Sequence, residues 1–141
     1  MPYASQQNII DRYSKDLLLL IADRDGDGIA DSEVVDPAIN DASAEIDTYV
    51  AKRYALPMAT PLPEVLTRLC VDIVVYRLAD GADVGTEEKR IRYDDARSLL
   101  RLIAKGEVTL GVAEATTTSS DVIESSSSNR RFNRNSMSGL L

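Results

Sequence analysis

The chain has 141 residues, enough for one domain with a real core. Its hydrophobic content is 44% but its aromatic content only 5%, which predicts an aliphatic core and favours helices. A formal charge of −7, from 23 acids against 16 bases, argues against affinity for nucleic acid across the main surface. The longest apolar run, Leu17 to Ala22, is too short to span a bilayer, and no basic start followed by an apolar core marks a signal peptide, so a soluble protein in a reducing compartment is expected.

Taken in order, residues 5–22 hold two capping residues, Ser5 and Ser14, each followed by a helix-compatible run, which predicts two short helices joined near Ser14. Asp23 to Asp31, DRDGDGIAD, breaks the pattern with acids and glycines that favour turns. The longest periodic segment follows, from Asp31 to Pro57. Val35, Ala38, Ile39, Ala42, Ile46, Tyr49, Val50 and Tyr54 recur every three or four positions, the period of one helix face. Asp31 or Ser32 is placed to cap it, Pro37 falls in or just after the first turn, and Pro57 ends it through its effect on the preceding residue. Asp36, Asn40, Asp41, Ser43, Asp47 and Lys52 are expected on the wet face.

The segment ALPMATPLP, with Pro57, Pro61 and Pro63, reads as a stiff extended connector, and Pro63 is well placed to open the next helix. From Glu64 to Ala79, Leu66, Leu69, Cys70, Ile73 and Val74 repeat at helical spacing, and Val71, Val75 and Leu78 widen the stripe, so this helix should be the most buried. Two glycines in ADGADVGT should break it. Thr86 then caps a last helix running through Lys105, with Tyr93, Ala96, Leu100 and Ile103 as its core stripe and Gly106 as its C-cap. Glu88 and Arg92 stand i,i+4 for an exposed ion pair.

The composition changes after Val112. Nine of the thirteen residues from 116 to 128 are Ser or Thr, too polar to offset the entropy of ordering, so disorder in the free chain is predicted. Apolar and basic residues then return as Arg130, Arg131, Phe132 and Arg134, followed by Met137, Leu140 and Leu141. From Ala115 on, three Arg stand against Asp121 and Glu124, net +1, which leaves −8 on residues 1–114. The expected architecture is all-α: a bundle of about four to five helices over residues 1–114, then a spacer and C-terminal docking arm over 115–141. Arg130, Arg131, Phe132, Arg134, Met137 and Leu140 are the candidate partner-binding residues, as a peptide that folds on a partner.

The inventory for catalysis is thin. No histidine is present, so Ser/His/Asp and Cys/His arrangements and histidine-bearing metal sites are excluded. Cys70, the sole cysteine, excludes an internal disulfide and a cysteine-rich zinc site, and on an apolar stripe with no base to activate it, it reads as core. GADVG lacks the Lys-Ser/Thr of a phosphate-binding loop. An enzyme is not expected. The sharpest local motif is Asp23, Asp25, Asp27, Gly28 and Asp31, which stand at positions 1, 3, 5, 6 and 9 of a calcium-binding loop, with the Ile29 carbonyl at position 7. Position 12 is Val34 rather than the bidentate Glu, and Glu33 is one residue early. A weak structural calcium site, or a calcium-responsive module built on it, therefore competes with a plain acidic turn whose carboxylates bond local backbone N–H groups and cap the long helix through Asp31. The Arg130–Arg134 segment could alternatively meet nucleic acid, though three cations are few.

Several stretches together resemble one family: YASQQNIIDRY, DRDGDGIAD, DASAEIDTYVAKRYALP, CVDIVVYRL and KRIRYDDARSLLRLIAKGEVTLGV, covering nearly all of residues 3–112, with RRFNRNSMSGLL beyond. This set is similar to the small neck, or head-completion, proteins of Mu-like tailed bacteriophages and prophages. The resemblance implies a helical head-to-tail adaptor that assembles as a dodecameric ring beneath the portal protein, next to a tail-proximal neck or tail terminator protein. It implies a place in the virion neck, with the host cytoplasm as the site of assembly, and no membrane. It also implies a channel through which DNA passes without specific binding, and no catalytic residues or cofactor.

Overall fold

A computed structural model describes residues 1–115. Among them there are five helices and no strand: α1 (Gln6–Arg12), α2 (Lys15–Ala22), α3 (Ser32–Val50), α4 (Glu64–Gly81) and α5 (Glu87–Lys105). The fold is all-α. The candidate arm residues Arg130, Arg131, Phe132, Arg134, Met137 and Leu140 lie outside the described residues, as does the Ser/Thr-rich spacer. No helix among the described residues is long and apolar enough to cross a membrane.

The starts of the helices follow their capping chemistry. Ser5 Oγ accepts from the Asn8 backbone N–H while Asn8 Oδ1 accepts from the Ser5 backbone N–H, so two orphan donors are satisfied reciprocally. Ser14 and Thr86 accept from Leu17 and Lys89 in the same way. Asp31 departs from expectation: it occupies the N-cap position of α3, yet its side chain makes no capping bond. Its carboxylate accepts instead from the backbone N–H of Arg24, so it closes the preceding loop rather than the helix.

The ends of the helices differ more from the sequence reading. α3 stops at Val50, four residues short of Tyr54, because residues 51–53 tighten into turns, with Arg53 and Tyr54 both donating to the Val50 carbonyl. Pro37 sits at the sixth position of α3, where it removes the N–H that would reach Glu33. α4 runs through Gly81, and the residue that reverses the chain is Asp83, at φ 58°. There Val84 donates to the Ala79 carbonyl and Asp83 to Asp80, the paired bonds of a left-handed helix terminus. Gly106 at φ 81° makes the same closure at the end of α5, with Glu107 donating to Leu102. The connector between α3 and α4 is a series of turns and bends with two cis bonds, Leu56–Pro57 and Thr60–Pro61.

Helices α3, α4 and α5 pack against one another, and α1 and α2 lie on α4. α4 supplies the largest share of the core, including Leu66, Leu69, Cys70, Ile73 and Val74, as its all-round apolar pattern required. It runs antiparallel to α3, since Cys70 meets Ser43 while Arg77 and Leu78 line a depression with Asp23 and Arg24 just ahead of α3. α5 runs parallel to α3, with Arg97 beside Glu45 and Gly106 against Arg53. The bundle therefore has two distinct ends. One gathers the 23–31 loop, the end of α4 and the start of α5; the other gathers the end of α3, the start of α4 and the end of α5.

Candidate functional site: the acidic loop, the polar staples and the root of the arm

The acidic loop is built by its own side chains. Asp23 accepts from the backbone N–H groups of Gly26 (2.8 Å) and Gly28 (2.9 Å), Asp25 from Asp27 (3.1 Å), and Asp27 from Ile29 (2.8 Å). Gly26 and Gly28, at φ 76° and 81°, supply the left-handed turns this requires. Of the five residues proposed as calcium ligands, Asp23, Asp25 and Asp27 bring carboxylate oxygens within 4.8 Å of one another, a spacing at which three carboxylates can hold one cation. Asp31 turns away to Arg24, and position 12 is the half-buried Val34. The acidic-turn reading accounts for every carboxylate bond seen here, apart from the expected Asp31 cap. Desolvation pushes the Asp23 carboxyl up, but the N–H groups of Gly28 and Gly26 outweigh it and hold it below its ordinary range. Asp25 moves the other way: the Asp27 N–H stabilises its charge, yet desolvation and the neighbouring carboxylates leave it raised.

Sequence reading overlooked a buried acid. Asp72 is 6% exposed in the middle of the most apolar helix. Arg12 grips both its oxygens, Nε to Oδ1 at 2.9 Å and Nη2 to Oδ2 at 3.1 Å, and the Tyr13 hydroxyl donates to Oδ1 at 2.8 Å. Arg92 of α5 lies 5.2 Å above the centre of the Tyr13 ring and pairs with Glu88. This cluster ties α1, α4 and α5 together. The available signal was one carboxylate inside the run Leu69–Val75.

A second cluster joins α3, α4 and α5. Glu45 receives the Arg77 guanidinium and lies 3.7 Å from Arg97 Nε, while Tyr76 and Tyr93 stack at 4.2 Å between ring centres. Ser43, expected on the wet face of α3, is buried, because Tyr3 folds across it and donates its backbone N–H to Ser43 Oγ at 3.0 Å. Ser43 Oγ lies 3.7 Å from Cys70 Sγ, and the Tyr3 hydroxyl bonds Asp47. Cys70 is fully buried, and burial pushes its thiol up to about 11, which makes it a poor nucleophile.

The segment after α5 folds back over the end of α3. Leu110 donates to the Tyr54 hydroxyl (2.9 Å), Ala115 donates to the Arg53 carbonyl (2.9 Å), and Arg53 pairs with Glu114 at 2.7 Å. The acidic loop lies at the opposite end of the bundle from this clamp.

The family model described as Bacteriophage Mu, Gp36 matches residues 3–127. The chain belongs to the bacteriophage Mu gp36 family. Within that family it is 35% identical to the Mu-like prophage FluMu protein gp36 of Haemophilus influenzae over 112 residues, covering 79% of this chain and 77% of the relative. It is 32% identical to gene product J of Escherichia phage Mu over 120 residues, covering 84% and 83% respectively. In this gp36-family chain each of the polar clusters above fixes one helix to another.

Proposed function

We propose that the chain is a structural head-to-tail connector, a head-completion protein that forms a ring, a dodecamer by family analogy, beneath the portal of a tailed phage. Its partners are further copies of itself, the portal protein, and a tail-proximal neck or tail terminator protein, and DNA passes its channel without specific binding. The observation that carries this reading is the match to the phage Mu gp36 family over residues 3–127. Physical features support it. A charge of −8 on residues 1–114 lets an acidic surface facing a channel repel passing DNA. The chain leaves the bundle from a fixed point beside Arg53, a suitable root for an arm that reaches a neighbour or the portal. The buried Asp72 and the half-buried Glu45 serve as helix-to-helix ties, consistent with a structural rather than a catalytic role.

Electron microscopy of the full chain mixed with the portal protein of the same phage tests this. Rings stacked on portal are the expected result, and persistent monomers in that mixture would overturn the proposal.

The convergence of Asp23, Asp25 and Asp27 supports a second reading, a calcium-responsive module. It predicts a thermal shift on adding calcium that chelator reverses, whereas the connector predicts neither.

A further inference from the structure

Acidic side chains gather at one end of the bundle. At the end bearing the acidic loop, Asp23, Asp25, Asp27, Glu33, Asp80 and Asp83 form no ion pair among the described residues. All but the half-buried Asp23 are exposed. Beside them lie Leu20, 61% exposed, and Ile29, 66% exposed, two of the few large apolar side chains left in water among the described residues. Between the loop and the end of α4 there is a depression of about 340 Å³ lined by the apolar Leu20, Ile21 and Leu78, with Asp23 as its one acid. Arg24 and Arg77 also border it, but the Arg77 guanidinium is drawn off to Glu45. The carboxylates of Asp25, Asp27, Asp80 and Asp83 lie near this depression rather than in its lining, and they outnumber Arg24, the lining cation that forms no ion pair among the described residues. With the apolar Leu20, Ile21 and Leu78 they fit a peptide that carries an aromatic ring between cations.

The chain contains such a peptide. Arg130, Arg131 and Arg134 flank Phe132. We infer that this segment of one copy docks at the acidic end of a second copy, Phe132 over Leu20 and Leu78 and the arginines on the surrounding carboxylates. Reach permits it. Fourteen residues lie between Ala115 and Arg130, and the fifteen Cα–Cα steps that join them extend to at most about 50 Å. An α-helix of 18 residues, the length of α4, is only about 27 Å long. The arm starts at the clamped end and the depression lies at the other, so each copy offers one arm and one receptor on different surfaces. Such a heterologous contact closes into a ring when its rotation allows. The choice of a second copy as host rests on the ring reading above.

Two full-length variants test the inference. The first, F132A combined with R131A, disables the arm. The second, Asp25→Asn with Asp27→Asn and Asp80→Asn, removes charge at the receptor while keeping side-chain oxygens that can accept the loop's N–H bonds. Circular dichroism and Tm matching the parent chain establish that both fold. In analytical ultracentrifugation the parent chain should form assemblies that salt disperses, and each variant alone should be monomeric. Mixed, the two variants retain one good arm and one good receptor, so they should form dimers and nothing larger. Variants that assemble like the parent, a mixture that stays monomeric, or a parent chain that is monomeric because its own arm fills its own receptor would each overturn the inference. Failure here is distinct from failure of the connector reading. Rings on portal formed equally by both variants would leave the connector standing, and mixed dimers from a chain that ignores portal would do the reverse.

Discussion

Arg12 and Asp72, sixty residues apart in sequence, meet through two hydrogen bonds of 2.9 and 3.1 Å, with the carboxylate buried and the guanidinium about one-third exposed. Burial on one side only makes the pair asymmetric. Arg12→Ala strands a buried charge, whereas Asp72→Asn leaves an arginine that water can still reach. Arg12→Ala should therefore cost about 2–3 kcal/mol and Asp72→Asn about 1 kcal/mol. Urea unfolding of the two variants, with the double mutant to close the cycle, checks this; equal costs would remove the asymmetry.

Cys70 and Tyr3 predict a loss of stability in alkali. The thiol rises from its ordinary 9.0 to about 11, first through desolvation, and the Tyr3 hydroxyl is raised too, through desolvation and then its bond to Asp47. Folded groups raised above their unfolded values hold protons that the unfolded chain has released. The thiol's contribution is thus complete below about pH 9 and drains away as pH climbs through about 11, and that of Tyr3 begins to drain only above its ordinary 10.0. The thiol alone accounts for roughly 3 kcal/mol on this scale. Denaturant midpoints from pH 8 to 11 should fall, and Cys70→Ala should flatten the fall. In native buffer at neutral pH, Cys70 should label with a thiol reagent only at the rate of unfolding.

Two helix termini predict opposite responses to substitution. Gly106 is at φ 81°, and an added Cβ would meet the Arg53 guanidinium that Glu114 holds. Gly106→Ala should cost about 1 kcal/mol from the backbone and loosen the clamp at the root of the arm. Asp83 is at φ 58° with a side chain to strain, so Asp83→Gly should be neutral or stabilise by up to about 1 kcal/mol. Thermal melts that shift both variants the same way would contradict the assignment.

Calcium removal offers a check on the acidic loop. Its carboxylates already accept N–H bonds from Gly26, Asp27, Gly28 and Ile29, and the twelfth position carries no acid. Millimolar calcium, or EDTA, should leave Tm unchanged. A reversible upward shift on adding calcium would favour the metal-responsive reading instead.

Much of the fold could be read without coordinates because it depends on local chemistry. Helical periodicity, the caps at Ser5, Ser14 and Thr86, the left-handed Gly106 and the Glu88–Arg92 pair all arise from residues within a turn or two of one another. The same locality made the acidic turn legible, since each of its bonds spans seven residues or fewer. Tertiary structure decided what distant segments impose. Tyr3 buries Ser43, Arg12 makes Asp72 tolerable inside α4, and Arg53 clamps the chain at Ala115. A helix pattern tells which face wants to leave water, but not which side chain from elsewhere will arrive to cover or neutralise what is left there. That depends on the three-dimensional path of the chain.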